Sequence, residues 1–365
     1  MLIFKNSFFI QIRSLLTYLS LCARDLNFVL IYSEGSHQWP DFYPVIKKLL
    51  AKKIKVVFFT SSIDDVSLNI KHKNFISLYI GKYLFRDWLF LNIKNKIIIT
   101  SLPDIGNSRL KISRYATHYI YIQHSLVSIH SCYKKNAFKN YDVICASTKY
   151  QRYEILEIIE KEKLKNKKVI IDNYNKFLFY NKDNFFKKKS DCSTFLIAPS
   201  WNINFSKHQI LLKMLIKILL EKNKSVIFRP HTETIKRNQN FINYLNSHYK
   251  NNIKFTLDLN YSVLESIAKS DVLISDYSGI VFDFILFKNK KVLFLDVTKK
   301  INNQDYYDYK KEGIEFQVRK NCKLINVENL NNFNFNNVDN VNFNTSQIYL
   351  RSNLSRYIMD YLNNS

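Results

Sequence analysis

Three short stretches combine residue types that could do chemistry, and each lies at the end of an apolar, β-branched run. The first is Gln123-His124-Ser125, closing the run HYIYIQ. A histidine there can sit on a cleft floor with a near-neutral pKa and take a proton from a hydroxyl. Its bland alternative is a satisfied core histidine or a helix-cap contact. His130 lies six residues on, either on the same helix face or turned to solvent, and His118 begins the run at its structural end. The second stretch is Phe228-Arg229-Pro230-His231, ending SVIFR. Arginine offers a planar fork of donors suited to phosphate, and an imidazole adds a donor or offsets leaving-group charge. Pro230 fixes the turn that pins His231. Capping of the arginine on the sheet edge is the alternative. The third is Ser275-Asp276-Tyr277-Ser278-Gly279, running into IVFDFILF. Here Ser278 and Gly279 open a helix whose N–H groups and dipole favour an anion, with serine hydroxyls beside them. Asp276 would repel phosphate unless it orients a hydroxyl, a histidine or a ribose. Asp283 falls one turn on, to brace the loop or face water.

The surrounding pattern says what must position these residues. Apolar runs at 27–33, 54–60, 96–100, 118–123, 141–146 and 168–171 read as buried strands, with helices at about 41–52 and 149–163. The pattern restarts with strands at 194–199, 225–229, 253–257, 271–275 and 291–295, and helices near 206–221, 233–248, 261–269 and 279–287. Fully apolar strands alternating with helices predict parallel sheets covered on both faces. The expected organisation is an N-terminal packing or amphipathic helix (1–26), a first α/β domain (27–171), a linker (172–193), a second α/β domain (194–325) and an Asn-rich crossing with a terminal helix (326–365). That last helix, about 345–362, is expected to present Ile348, Leu350, Leu354, Ile358 and Leu362 to a core. Ligands of open α/β sheets lie beyond the carboxyl ends of strands. The informative junctions are therefore Glu34–Trp39, Ser101–Asp104, His124–His130, Ser200–Trp201, Arg229–His231 and Ser275–Gly279.

Composition narrows the classes. A chain of 365 residues suits two domains, and 47% hydrophobic with 23% charged residues is globular composition. Five glycines, at 35, 81, 106, 279 and 313, cannot form GxGxxG or a Walker loop. Any phosphate must be held another way. The charge of +25 fits an anionic membrane surface or an acidic substrate. Abundant Lys, Asn, Ile, Phe and Tyr also follow from AT-rich coding, and no nucleic-acid-binding motif accompanies the charge, so a specific nucleic-acid partner is not expected. Five widely spaced cysteines without CxxC suit reduced thiols in a cytoplasmic protein. No HExxH or DxD occurs, so no metal site is expected, and without GxSxG a hydrolase reading is weak. Residues 7–22 form a helix with a narrow polar stripe of Ser7, Gln11 and Ser14 among Phe8, Ile12, Leu15, Leu16 and Leu19. It is short for a membrane span and either packs on the first domain or lies in a membrane interface.

In this order the three stretches resemble the CDP-glycerol glycerophosphotransferase family of teichoic-acid and capsule polymerases. That family ends a first-domain strand in histidine, places an Arg-Pro-His corner in the second domain, and precedes a helix bearing Phe-Asp-Phe with Asp-Tyr-Ser. The resemblance covers roughly 115–295. Departures are His124-Ser125-Leu126 for the usual His-Gly, Thr232 for a proline, and Gly279 for the second serine of Asp-Tyr-Ser-Ser. They bear on the acceptor more than on the donor.

The resemblance implies two Rossmann-like domains of GT-B type and transfer of a polyol phosphate from a CDP-activated donor, with no cofactor beyond that substrate. His124 and His231 would be catalytic. Arg229, Ser275, Asp276, Ser278, Gly279 and Asp283 would bind the donor, and Glu34, Ser125 and His130 would serve the acceptor, a glycan or lipid-linked chain. Donor and acceptor would meet between the domains of a cytoplasmic enzyme peripheral to the membrane. A nucleotide-sugar glycosyltransferase of the same fold is the nearest alternative. A basic, non-catalytic surface-binding protein is the alternative of another class.

Overall fold

The computed structural model describes every residue except Met1, Asp25, Ser108, Arg109, Ala116, 181–192, 202–204, Tyr261, Asn289, Lys290, Asn321 and Ser365. The chain divides into two units. Met1–Tyr180, Asn303–Tyr307 and Ser346–Ser365 form the first, and Asn181–Asn302 with Asp308–Thr345 form the second.

The first unit opens with α1 (Leu2–Arg24), β1 (Phe28–Ser33), α2 (Trp39–Ala51), β2 (Lys55–Thr60), β3 (Phe75–Tyr79) and α3 (Leu84–Asn92). It continues with β4 (Ile97–Thr100), β5 (His118–Tyr121), α4 (Ile129–Cys132), β6 (Val143–Ala146), α5 (Lys149–Lys161), β7 (Lys168–Ile171) and α6 (Asn175–Tyr180). The seven strands are all parallel, in the order β3-β2-β1-β4-β5-β6-β7. Strand order reverses between β1 and β4, so their carboxyl ends flank the crevice where such sheets bind ligands. Every residue of β1 is buried, as a strand covered on both faces requires. One face packs Val29, Ile31, Phe58, Ile97 and Ile120 against Phe42, Val45 and Leu49 of α2.

The second unit contains β8 (Thr194–Ile197), α7 (Phe205–Glu221), β9 (Ser225–Phe228), α8 (Thr232–Arg237), α9 (Gln239–Tyr249) and β10 (Phe255–Leu257). Then come α10 (Leu264–Lys269), β11 (Val272–Ser275), α11 (Ile280–Phe287), β12 (Val292–Leu295), α12 (Ile314–Arg319) and β13 (Leu324–Ile325). Its parallel sheet runs β10-β9-β8-β11-β12-β13, with the reversal between β8 and β11. Leu212, Leu215 and Leu219 of α7 and Leu245 of α9 close over Phe195, Ile197, Phe228 and Ile274. The last helix, α13 (Leu354–Asn364), belongs to the first unit, with Leu354 and Ile358 fully buried in its core.

Several boundaries differ from the sequence expectation. Residues 172–180 do not open a linker: Asp172 and Tyr174 are buried, and α6 packs on α2 through Phe179 and Tyr43. The Lys/Asn/Asp-rich sequence on either side of this aromatic patch concealed a buried turn. Most of the remaining linker, with Cys192, lies outside the described residues. The helix expected at 233–248 is broken at Asn238, whose backbone leaves the helical region. The terminal helix starts at Leu354, nine residues later than its expected start, so Leu350 is 73% exposed and no core residue. Strands β3 and β13 were not foreseen; β3 is only partly buried, through Phe75 and Leu78, and β13 has two residues.

Candidate active site

At the reversal point of the first sheet, β1 runs into a tight turn. Ser33 Oγ donates to the Gly35 carbonyl (3.0 Å) and accepts from the Gly35 N–H (3.1 Å), while Gln38 Oε1 accepts from the Glu34 N–H at 2.7 Å. The turn is thus fixed by the Ser33 and Gln38 side chains bonding its main chain, and half-buried Glu34 is carried at its tip. A Cβ on Gly35 would come within 3.1 Å of Ser62 Cβ, which explains one of the five glycines.

His124 follows β5. Its imidazole is pushed down to about 4, first by burial, then by the charges of Lys176 and His37, against a hydrogen bond with the Ser101 main chain. It is therefore neutral at physiological pH and free to accept a proton, but burial makes it a weaker base than the near-neutral histidine expected from the sequence. Tyr121 Oη stands 3.5 Å from His124 Nδ1 and 2.7 Å from Tyr133 Oη, so a tyrosine pair backs the ring.

The loop after His124 is gripped by α5. Gln151 Nε2 donates to the carbonyls of Ser125 (2.9 Å) and Val127 (3.1 Å), and Tyr150 Oη donates to that of Leu126. Glu154 accepts from Ser128 Oγ at 2.8 Å and from the Ile129 N–H at 2.6 Å. Ser125 is half-buried beside His124. His130 departs from its expected role. It is fully buried, 3.2 Å from the Glu154 carbonyl and 3.4 Å from Glu157 Oε2, so it anchors this loop rather than meeting an acceptor. His118 is structural as expected, stacked on Tyr361 at 4.3 Å and bonded to Tyr357.

In the second unit, Asp276 ties the reversal point together. Its carboxylate accepts from the Ser200 N–H (2.8 Å) and Ser200 Oγ (2.9 Å), joining the ends of β11 and β8. Burial pushes Asp276 up from the ordinary carboxylate value, opposed by those two bonds and by Lys300 and Arg319. Ser275 is wholly buried and donates to the Ala198 carbonyl at 2.6 Å, so it braces the sheet and does not reach a phosphate.

The start of α11 is more open. No side chain caps it, and Ser278, which a capping role would have engaged, is half-buried without such a bond. Gly279 has ordinary helical angles (φ −61°), so its glycine leaves space rather than supplying a rare conformation. Asp283 is buried rather than solvated. The Val281 and Phe282 N–H groups turn back onto the carbonyls of Ser278 (3.2 Å) and Gly279 (3.1 Å), so what the start of α11 offers an anion is its dipole, the N–H groups before Val281 and the adjoining Ser278 hydroxyl.

The Arg-Pro-His corner divides its labour. Arg229 Nη1 donates to Asp258 Oδ2 at 2.6 Å and to the Ser262 carbonyl at 3.3 Å. Its charge is compensated in place, the capped-arginine alternative, and it braces the corner. Asp258 is held below the ordinary carboxylate range: burial opposes, but bonds from Ser266 and Asn260 and the Arg229 charge prevail. His231 is exposed and caps α8, its Nδ1 accepting from the Glu233 N–H at 3.1 Å. That bond places the neutral ring's proton on Nε2, where it can serve as a donor.

Lys176 and Arg319 belong to no motif. Lys176 lay hidden in the expected linker; Arg319 rises from α12, its guanidinium 4.1 Å from the Tyr277 ring, with Nη2 on the Leu295 carbonyl. His208 of α7 is half-buried near Asp276. Only proximity in the fold reveals any of them. Among the described residues, no group of three His, Cys, Asp or Glu could hold a metal ion.

Two parallel α/β units, each with polar residues at its reversal point, define a protein of GT-B type, the architecture of many nucleotide-dependent enzymes. UDP-GlcNAc 2-epimerase from Methanocaldococcus jannaschii, solved with UDP-GlcNAc and UDP, shares the fold at TM-score 0.54 and 15% identity, covering 92% of this chain and 99% of that one. The S. aureus MnaA–UDP structure does so at TM-score 0.53 and 12% identity, over 75% and 80%. The wall teichoic acid polymerase TagF, soaked with CDPG, gives TM-score 0.49 at 15% identity, over 82% and 80%. Residues 183–340 match the profile of the CDP-Glycerol:Poly(glycerophosphate) glycerophosphotransferase family. The minor teichoic acid biosynthesis protein GgaB of Bacillus subtilis (strain 168) is 23% identical over 234 residues, 57% of this chain. The chain spans 24% of GgaB's length. The family match contains Arg229, His231, Asp276 and Ser278 but begins well past His124.

Proposed function

We propose that this protein transfers glycerol phosphate, or a similar polyol phosphate, from a CDP-activated donor to a hydroxyl acceptor in a teichoic-acid-like or capsular polymer. The observation that carries the reading is the start of α11, with a glycine at its N-cap and Ser278 beside it, at the reversal point of the sheet within the family match. The donor diphosphate is held there by helix N–H groups and the Ser278 hydroxyl, without a glycine-rich loop. His231 Nε2–H donates to the departing phosphate, and Asp276 orients Ser200 beneath it. On the acceptor side, neutral His124 removes the proton of the attacking hydroxyl, with Glu34 and Ser125 near it as acceptor contacts. The new bond forms from acceptor oxygen to the donor's β-phosphorus; the bond to CMP breaks, and CMP leaves with the electron pair. Positioning and electrostatics supply most of what phosphoryl transfer asks of a protein. No resident cofactor is called for, because the donor brings the transferred group. The acceptor is a glycan or lipid-linked chain, so the enzyme works at the cytoplasmic face of a membrane, in contact with anionic lipid.

Replacing His124 with alanine is expected to abolish CMP release from CDP-glycerol while CDP affinity stays within about twofold. Full activity in His124→Ala would remove the assignment. The fold shared with proteins solved with UDP or UDP-GlcNAc favours one second reading, a glycosyltransferase attacking an anomeric carbon. Release of UDP or CMP from nucleotide sugars, with none from CDP-glycerol, would select it.

A further inference from the structure

α1 is amphipathic in the wrong sense for a helix that merely packs on its domain. Its polar stripe faces inward: Ser14 is 6% exposed, Ser7 Oγ meets Tyr79 Oη at 3.2 Å, and Gln11 donates to Ser7. Tyr18 completes the inward row, 2% exposed, its hydroxyl accepting from the Lys94 N–H. Gln11 lies so close to the chain at Gly81 that a Cβ there would fall 2.3 Å from Gln11 Nε2. At about 100° per residue, Phe8, Phe9, Ile12, Leu16 and Leu19 fall together on the opposite side. They point outward, Phe9 at 67% and Leu16 at 61% exposure.

The charges say what should cover this face. α1 holds no Asp or Glu, and Arg13 and Arg24 line one flank of the apolar arc, exposed and without an ion pair among the described residues. Just past the Gly81 contact come exposed Lys82, Tyr83 and Leu84, the last two at 75% and 86%. A second copy docked on this face would set arginine against arginine with no carboxylate in α1 to pair them. An anionic bilayer surface meets every feature: acyl boundary for the Phe/Leu arc, lipid headgroups for the basic flank, and the interface for a tyrosine ring. No helix among the described residues is long and apolar enough to cross a membrane. We infer that α1 lies in the plane of an anionic membrane, apolar side down, held to the first unit by its polar stripe.

The inference deepens the membrane contact of the functional reading and rests on it for the lipid's sign. Flotation of the full chain with vesicles tests it without any transferase activity, so the two can fail separately. Wild type should float with phosphatidylcholine vesicles containing phosphatidylglycerol, and at least tenfold less with phosphatidylcholine alone. The double variant F9S/L16S, checked for an unchanged melting temperature, should lose at least tenfold in partitioning. R13E/R24E leaves the apolar arc intact and should lose the preference for anionic vesicles. Equal flotation of wild type and F9S/L16S, no flotation of wild type, or a wild-type dimer dissociated by F9S/L16S would each overturn the inference.

Discussion

His124 is the residue whose environment says most about chemistry. A histidine held near 4 instead of 6.5 is neutral over the whole working range, so loss of activity on acidification should not follow an ordinary histidine titration. The same shift makes a stability statement. Between pH 6.5 and 4 the unfolded chain binds a proton at this position that the folded chain refuses, so stability falls as pH falls through that window. Asp172, pushed up to about 6 chiefly by burial, acts with opposite sign: its contribution is present at low pH and lost as pH rises from 3.8 toward 6. The wild-type curve therefore sums opposing slopes. Urea unfolding of wild type and His124→Gln across pH 4 to 7 should show the variant gaining relative stability toward acid. Parallel curves would contradict the depressed imidazole.

Among the elements, α11 combines a start without a side-chain cap and a place in the family match. A negative charge at a helix N-terminus is favourable to the helix and competes with any anion bound there. Ser278→Asp should keep or raise thermal stability yet weaken CDP binding at least tenfold, about 1.4 kcal/mol. Calorimetric titration of the variant with CDP gives the answer, and unchanged affinity would move the diphosphate away from α11. α5 shows what sequence reading could not supply. Gln151 and Glu154 are polar residues of this helix, yet both are buried because the loop after His124 is tied to them. Their partners lie more than twenty residues upstream, beyond any local periodicity.

At the scale of the whole chain, the first unit is closed by residues from the far end of the sequence. α13 inserts Leu354 and Ile358, both fully buried, into a core built from residues 29–170. Losing a buried Leu or Ile costs roughly 2–5 kcal/mol each, a large fraction of a domain's stability. Deleting 346–365 should therefore lower the melting temperature of the first unit, while the second still binds CDP. Differential scanning calorimetry with and without CDP separates the two effects, and an unaltered thermogram would refute the packing role. Sequence alone determined the alternation of strands and helices, the two sheets and the strand-end junctions. Those follow from local periodicity and from the burial of parallel strands on both faces. It also singled out His124, His231 and Ser278, because polar residues directly after apolar strands are visible in one dimension. Tertiary structure decided which of these are engaged inside the protein. Arg229 answers to Asp258, Ser275 to Ala198 and His130 to Glu154 and Glu157, pairings set by strand order, which no spacing encodes. It likewise decided that the polar stripe of α1 faces inward: a helix's period fixes which residues share a side, but only the surface it meets fixes which side is buried.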